Sequence, residues 1–452
     1  MGDGRAPPGP GGRTDAEGWA MAGKDRVEDA IREPLHGGAA VAMEVPARRV
    51  DGRFVALYGL AYMGLWMALL PPILEGLAMR VRQLAPAHAA GSLSLAVGAG
   101  ALVALFGNPF FGRLSDRTTS RHGMRRPWLI AGALGGVAGL AVVAQAHSVA
   151  QLVTGWCLAQ LAYNAELAAL AALLSDQVPE SQRGTVSGVV NVSLPLGMVG
   201  GTFLVQALSD SVAAVFLVPA GIALASALAL VWVLPDLRLA AAQRTRYGWR
   251  EFLGSFWIHP LRFPDFTWTW SSRFLLYAGV AVLLTYQEFY LIRQLGCAPG
   301  SVPRWIFLST LVQSSMVAVF SALVGGLSDA MGRRKVFVAG TALIYALALL
   351  LIAFATSLRG FFVGMAITGM AQGAYLAADL ALVNDVLPER ETHAARNLGI
   401  FNIASVLPQL LMPAVAPAIL SAGGDSYTVL FVVAAVLVVL GAWAILPVRG
   451  VR

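Results

Sequence analysis

The sequence predicts an all-α polytopic membrane protein, with twelve transmembrane helices arranged as two pseudo-symmetric six-helix bundles. Composition, the number of apolar runs and an internal repeat together lead to this prediction. Hydrophobic residues make up 57% of the chain, charged residues only 13%, and the mean hydropathy is +0.68. Soluble proteins carry about twice that share of charge, so much of the apolar surface must face lipid.

Twelve apolar runs are long enough, or nearly so, to cross a bilayer as helices, which takes about 20 residues. Six runs precede the polar stretch 236–270 and six follow it. In chain order the predicted spans are Phe54–Leu74, Leu93–Phe111, Pro127–Ala146, Val149–Leu174, Gly184–Leu208, Val212–Leu234, Phe274–Leu291, Ile306–Leu327, Val336–Ser357, Gly360–Val383, Leu398–Leu420 and Tyr427–Leu446.

The internal repeat links the two sets of six. Gly112–Trp128 reads GRLSDRTTSRHGMRRPW and Gly325–Phe337 reads GGLSDAMGRRKVF, each between two apolar runs. Further along, Asp176–Pro179 corresponds to Asp385–Pro388 at nearly the same spacing. This register indicates duplication of a six-helix unit, and parallel repeats of this kind are a transporter architecture.

The spans and the repeat define five segments. We expect a disordered cytoplasmic tail over residues 1–50, because this stretch has neither a long apolar run nor a signal-peptide pattern. The first bundle covers 51–235 and the second 271–448, and a short cytoplasmic tail follows at 449–452. The linker 236–270 combines arginines with aromatic residues, which predicts a cytoplasmic segment with an interfacial helix.

The net charge of +7 is explained by topology. Basic residues concentrate in loops on one side, including Arg113, Arg125 and Arg333, so both termini are predicted to be cytoplasmic in a bacterial-type plasma (inner) membrane. We therefore expect the lipid bilayer as a partner, no nucleic acid, and a monomer. The two cysteines define neither a disulfide framework nor a metal site, and nothing pairs a nucleophile with a base. We expect no metal, no cofactor and no enzymatic activity.

The two repeated loops resemble the loop signature of the major facilitator superfamily. The copy GGLSDAMGRRK matches that signature fully. The copy SDRTTSRHGMRRPW carries a four-residue insertion and resembles the loop of plant sucrose–proton symporters and related glycoside–cation symporters. The similarity continues through Gly373–Pro388 and Asn397–Pro417. It implies a secondary active transporter that moves a small polar solute, a sugar or glycoside, together with protons, sodium being the alternative ion.

Charged residues of these loops predict a cytoplasmic latch between the halves. Asp116 and Asp329 would accept hydrogen bonds from helix N-termini of the other half, which favour negative charge. Arginines would pair with acids at the ends of the fourth and tenth spans, as a two-state element. The alternative is that the arginines only enforce topology. The latch set is Asp116, Arg117, Arg125, Arg126, Asp329, Arg333, Arg334, Asp176, Glu180, Asp385 and Glu389.

Acidic residues fall at three positions within the predicted spans, Glu166, Glu288 and Asp379. A carboxylate at bilayer depth is costly, so each is a candidate proton-coupling group. Asp379 is the first candidate and Glu166, which would flank the cavity or face the fifth span, is the second. In the plant sucrose symporters the resemblance implies a coupling acid where this chain has Gln160. Glu166 or Asp379 would replace it, or transport would be uncoupled. Glu288 is either a substrate or gate residue or part of an interfacial tyrosine cluster.

Two polar stripes predict the walls of a central cavity. Gln372, Tyr375 and Asp379 share one helical face, and the fourth span repeats the pattern from its AQLAY pentad. The alternative is polar contact between helices without a cavity. The predicted substrate-binding and pathway residues are Gln160, Tyr163, Asn164, Tyr286, Gln287, Gln372, Tyr375, Asn191 and Asn402.

The fifth span keeps a second function open. Its Pro195, Gly197 and Gly200-Gly201 half-match the glycine–proline signature of drug–proton antiporters, which indicates a drug or metabolite–proton antiporter as the alternative. A non-transporting membrane sensor or scaffold is a more distant alternative.

Overall fold

The computed structural model describes residues 1–2, 49–236, 263–331, 334–386 and 390–448. Side chains are described throughout those ranges except at 180, 325–331, 334, 380–381, 383–386, 390–400 and 402. Within this part of the chain the secondary structure is entirely helical, and twelve helices are long and apolar enough to cross a membrane. The predicted fold class is thereby confirmed.

The helices follow the predicted spans closely. The first, α1, runs from Gly52 to Leu84 as Gly52–Pro71, a π-helical segment Pro72–Gly76, and Leu77–Leu84. The others are α2 Ala89–Asp116, α3 Arg126–Ala144, α4 Val149–Gln177, α5 Glu180–Ala207, α6 Val212–Val233, α7 Pro264–Arg293, α8 Val302–Met331, α9 Arg334–Ala353, α10 Leu358–Val386, α11 Arg390–Ala422 and α12 Tyr427–Ala444.

Helix pairing repeats between the halves. In the first half α1 packs on α5 and α6, α4 packs on α2 and α3, and α3 packs on α6. The second half has the same pairs six helices later: α7 with α11 and α12, α10 with α8 and α9, and α9 with α12. Between the halves α2 packs on α11, and α5 packs on α8. The same shift of six helices converts one of these two contacts into the other. The fold is therefore two copies of one unit related by a pseudo-twofold axis.

Hydrogen bonds join chain segments at both ends of the bundle. At one end the Val50 amide donates to Gln182 Oε1 at 2.8 Å, and Lys335 Nζ donates to the Val448 carbonyl at 2.8 Å. We call this end, which carries both ends of the helical region, the terminal face. At the other end, the opposite face, Arg80 Nη2 donates to the Ala146 carbonyl at 2.5 Å.

Several helices extend beyond their predicted spans, α1 and α7 the furthest. The first continues past Leu74 to Leu84, and α7 begins at Pro264, within the predicted linker 236–270. Proline at the first helical position followed by Asp265 is a favourable start for a helix. The predicted span omitted these turns because polar residues lower their hydropathy. The remaining linker and the tails lie outside the described residues, apart from short pieces beside the helices.

Candidate functional site

The polar residues in and beside the AQLAY pentad of α4 contact other helices of the first half. Asn164 Nδ2 donates to the Gln160 carbonyl at 2.8 Å, and both side chains are buried. They face α2, where a Cβ on Gly100 would lie 3.2 Å from Gln160 Cγ. Tyr163 faces α3 instead, because a Cβ on Gly136 would lie 2.3 Å from its ring. The predicted single stripe is therefore split between two helix contacts, since glycines on α2 and α3 leave a slot on each side.

The tenth helix repeats this placement. Gln313 Nε2 of α8 lies 3.5 Å from Gln372 Oε1 and 3.4 Å from Thr368 Oγ1. Gln372 is partly exposed, whereas Tyr375 is buried beside Asp379. Gln160 and Gln372 therefore occupy equivalent contacts, α4 with α2 and α10 with α8. Both glutamines therefore make polar contacts between helices, which was the alternative to lining a cavity.

Asp379 forms an ion pair that sequence reasoning missed. Its carboxylate accepts a hydrogen bond from Arg273 Nη1 of α7, and both side chains are largely buried. Arg273 Nε also donates to Ser405 Oγ of α11 at 2.7 Å. The guanidinium lies over the rings of Phe401 and Tyr277, 4.7 and 5.4 Å from their centroids. Three helices of the second half thus meet around one cation.

The helix-start signal at Pro264 would have revealed Arg273. A helix that begins there carries Arg273 in its third turn, about 13 Å along the axis at 1.5 Å per residue. The predicted span began one residue later, at Phe274, and so excluded the only cation that pairs with Asp379 among the described residues.

Glu166 faces away from the other half. It is fully buried, and a Cβ on Gly132 of α3 would lie 2.7 Å from Glu166 Cβ. Neither carboxylate oxygen has a hydrogen-bond partner among the described residues. The expectation that Glu166 flanks the cavity or faces α5 is wrong in this structure, because contacts between glycines and alanines bring α3 against this side of α4.

The halves meet at the opposite face through side chains of α1, α2 and α7. Glu288 is fully buried and ion-paired with Arg82 of α1. Close to it in sequence, the Tyr286 hydroxyl lies 2.6 Å from Ser94 Oγ of α2. Gln287, which stands between Tyr286 and Glu288 in the sequence, is buried as well. Tyr286 and Glu288 of the TYQEFY segment therefore lie at a contact between the halves, and the gate role of Glu288 stays a prediction.

One buried acid escaped the sequence analysis. Glu75 lies in the π-helical segment of α1, one residue past the predicted end of the first span, and is fully buried. The expectation of only three acids within the spans is therefore wrong. Apolar runs end at charged residues by construction, so a helix that continues through a charge is truncated at that point.

At the terminal face the latch residue Arg125 binds within its own half. Its guanidinium lies 2.6 Å from Asp116 Oδ1, 2.7 Å from Asp176 Oδ2 and 2.6 Å from Ser115 Oγ. The side chain is 3% exposed, against 58% for Asp116. Burial lowers the pKa of Arg125, but the two carboxylates outweigh it and the pKa lies above its ordinary value. Arg125 therefore stays charged and ties the α2–α3 loop to the end of α4.

A second acid at this face holds the start of α3. Asp236 Oδ2 accepts hydrogen bonds from the backbone amides of Arg125 and Arg126, both at 2.8 Å. Gly123 beside it has φ +104°, and a Cβ there would lie 2.2 Å from Asp236 Oδ2. Two reasons thus require glycine at this turn. Asp236 stood in the sequence only as a linker boundary, and its partner lies 110 residues away.

The remaining predicted site residues are either exposed or outside the described part of the chain. Arg117 directly follows the last residue of α2 and is partly exposed, and Asn191 is exposed on α5. Arg333 and Glu389 lie outside the described residues, as do the side chains of Asp329, Arg334, Glu180, Asp385 and Asn402. Among the described residues no group of three or more histidine, cysteine or acidic side chains could hold a metal ion.

The comparisons with known proteins agree with this fold. The nucleoside transporter NupG, solved as a point mutant, covers 87% of this chain and 98% of its own at 13% identity, with a TM-score of 0.67. A D-xylose–proton symporter covers 88% and 97% at 16% identity, with a TM-score of 0.65. A bacterial homologue of the human lysosomal transporter Spinster, solved inward-facing and unoccupied, covers 88% and 97% at 15% identity, with a TM-score of 0.63.

At these identities the structural likeness shows the fold alone. No curated protein sequence matches the chain. The family model of the Major Facilitator Superfamily matches residues 54–316 and 301–451, nearly all of the helical region. The chain belongs to the Major Facilitator Superfamily, whose members are membrane transporters.

Proposed function

We propose that this transporter moves a small polar solute, a sugar or glycoside, by proton-coupled alternating access. The ion pair of Asp379 with Arg273 is the observation that carries the proposal. Charged side chains within transmembrane helices are expensive and usually serve ion or substrate pathways. This pair joins α7 and α10, and Ser405 ties it to α11. It therefore lies where a movement among these helices would change its geometry.

The pair has the chemistry needed to load and unload a proton. A carboxylate beside a guanidinium stays ionised, whereas the same group left alone in an apolar site takes up a proton. Separation of Arg273 from Asp379 would thus be linked to protonation of Asp379. Arg273 would then be free to donate hydrogen bonds to solute hydroxyl groups. Tyr375, buried beside Asp379, adds a hydroxyl and an aromatic ring to the same place.

A sugar or glycoside is the solute class that the polar groups support. Gln160 and Asn164 on α4 and Gln372 on α10 carry amide side chains on equivalent helices of the two halves. Gln313 of α8 adds a further amide beside Gln372. Amides both donate and accept hydrogen bonds, as a polyhydroxylated ligand requires. The resemblance of the first repeated loop to sucrose and glycoside symporters supports the same class. Arg125 and its two acids would brace the terminal face, which we assign to the cytoplasm of a bacterial-type cell, and the remaining latch residues would act there too.

Transport by reconstituted vesicles tests this function. Purified protein in proteoliposomes with an imposed proton gradient should accumulate a labelled sugar or glycoside, chosen by a thermal-shift screen. Asp379→Asn should abolish accumulation above the external concentration, because the side chain cannot change charge. Exchange of internal for external solute should persist in the same variant. Sodium-free buffer distinguishes protons from sodium as the coupling ion.

The matched control is Asp425→Asn, which removes an exposed acid at the opposite face. Asparagine tolerates the positive φ of 60° at that position, so the control should accumulate solute like the wild type. Undiminished accumulation by Asp379→Asn would remove Asp379 from the mechanism.

A drug or metabolite–proton antiporter is the second candidate function. The glycines of the α5 signature pack tightly on α1, since a Cβ on Gly197 would lie 2.7 Å from the Met63 carbonyl. A close α1–α5 contact of this kind suits either direction of transport. Proton flux driven by cationic drugs, with none driven by sugars, would favour the antiporter.

A further inference from the structure

We propose that Glu75 is a proton-binding site that controls closure of the opposite face, separate from the Asp379 pair. The proton is taken up when Arg82 pairs with Glu288 across the halves. It is released when the halves separate there and Arg82 turns to Glu75. This assignment depends on the fold and on three named side chains, and not on the solute or on Asp379.

Glu75 is completely buried in the closed contact at the opposite face. Its side chain is 0% exposed, and neither carboxylate oxygen has a hydrogen-bond partner among the described residues. An isolated carboxylate is too costly to bury in its charged form, and the group takes a proton instead. Glu75 should therefore be neutral in this conformation.

Glu75 and Glu288 compete for one arginine, Arg82. Arg82 lies seven residues after Glu75, about two helical turns, so the two side chains share a face of α1 and interact electrostatically. In this structure the guanidinium is paired with Glu288 of α7 instead. One cation cannot neutralise two buried carboxylates. The closed contact is therefore balanced only with a proton on one of them, and Glu75 is the one that has no ion pair with Arg82.

The other groups around this site leave that balance unchanged. The Pro72–Gly76 segment packs on α6, α7 and α8. The α6 helix presents Phe216 beside Gly76, and the only charged residue at this end of α8, Arg304, stacks over Trp305. Arg80 is bonded to the Ala146 carbonyl, and Tyr286 of α7 to Ser94. These contacts occupy their groups elsewhere.

The backbone of α1 is irregular around Glu75. Glu75 sits in a five-residue π-helical segment that begins directly after Pro71 and contains Pro72. Such segments occur often at functional sites, and proline marks points where a helix can bend. The turns after it, Leu77–Leu84, carry Arg82. A bend at this segment would change the distance from Arg82 to Glu288 while keeping Arg82 near Glu75.

The linkage has a definite sign. The closed form binds one proton at Glu75 and the open form binds none, so a rise in pH favours the open form. A one-proton difference changes the ratio of closed to open molecules about tenfold per pH unit where the open form's carboxyl is ionised. Low pH in the solution that bathes the opposite face therefore favours the closed form of that face.

Spin-label distances test the proposal. Labels are placed at Asp210 and Gln294, exposed positions of the two halves at the opposite face, after replacement of Cys157 and Cys297 by serine. The protein in nanodiscs, without solute, should shift from a short to a long distance as pH rises. Glu75→Gln should hold the short distance across the pH range. Asp425→Asn, the matched control, should keep the wild-type response.

A second variant and a second measurement guard against a misfolded Glu75→Gln. In Glu288→Gln, Arg82 is free to pair with an ionised Glu75, so the pH response should also flatten. Infrared difference spectra between wild type and Glu75→Gln at low pH should show the band of a protonated carboxyl group. An unchanged pH response in both variants, or the absence of that band, would overturn the assignment. A failure of Asp379→Asn to alter transport would leave these results unaffected.

Discussion

Single charged residues decide how the loops of this transporter are held. Arg125 is the clearest example, because its buried guanidinium meets a buried carboxylate, an exposed carboxylate and a hydroxyl group. Removal of one partner from such a buried set leaves an uncompensated charge, which costs more than a surface ion pair contributes.

This difference predicts a ranking of variants in stability. Arg125→Ala should destabilise the protein by about 3–5 kcal/mol, since Asp176 would remain buried without its cation. Asp116→Ala should cost about 1 kcal/mol or less, because its side chain is 58% exposed. Thermal unfolding in detergent measures both.

Arg121→Ala provides the control at an exposed position of the same loop and should lie within about 0.5 kcal/mol of wild type. Equal effects of Arg125→Ala and Arg121→Ala would show that the buried pair does not hold the loop.

At the scale of helices, small residues set the spacing within each half. The α3–α4 contact depends on glycines on both sides: a Cβ on Gly139 would lie 2.4 Å from the Ala159 backbone nitrogen. Close backbone approach of this kind is a common way for helices to associate in lipid.

Gly139→Ala should therefore weaken the protein, because backbone atoms must move apart to admit the methyl group. We expect a loss of about 1–3 kcal/mol in thermal unfolding, typical of an overfilled contact. Gly221→Ala in α6 is the matched control, since nothing lies within 4 Å of its added Cβ. Alanine should be neutral or slightly stabilising there. Destabilisation of both variants alike would argue against a specific role for the α3–α4 spacing.

The helices were largely predictable from the sequence, whereas their charged partners were not. Apolar runs locate spans because lipid demands them, but the runs end at charged residues, and this hid Glu75 and Arg273 inside α1 and α7. The Asp379–Arg273 pair joins residues 106 positions apart. Periodicity gives the face of a helix that a residue occupies, but not which distant helix covers that face. The AQLAY and AQGAY pentads lie on equivalent helices, α4 and α10. Glycines on α2 and α3 nevertheless decide what the AQLAY side chains meet.

At the scale of the whole molecule, the described side-chain contacts between the halves gather near the opposite face. Arg82 with Glu288 and Tyr286 with Ser94 join α7 to the first half, and the rings of Phe203 and Phe307 join α5 to α8 with centroids 5.5 Å apart. Two halves that meet at one face and share a twofold relation can rock about that relation to expose a central path to either side.

Alternating access by two rigid halves is tested most directly by two distances, one measured on each face of the same protein. Spin labels at Thr119 and Val336 report the terminal face, and labels at Asp210 and Gln294 report the opposite face; all four positions are exposed. As pH or a bound solute shifts the population, the terminal-face distance should shorten whenever the opposite-face distance lengthens. Distances that stay constant, or that lengthen together at both faces, would contradict alternating access by two rigid halves.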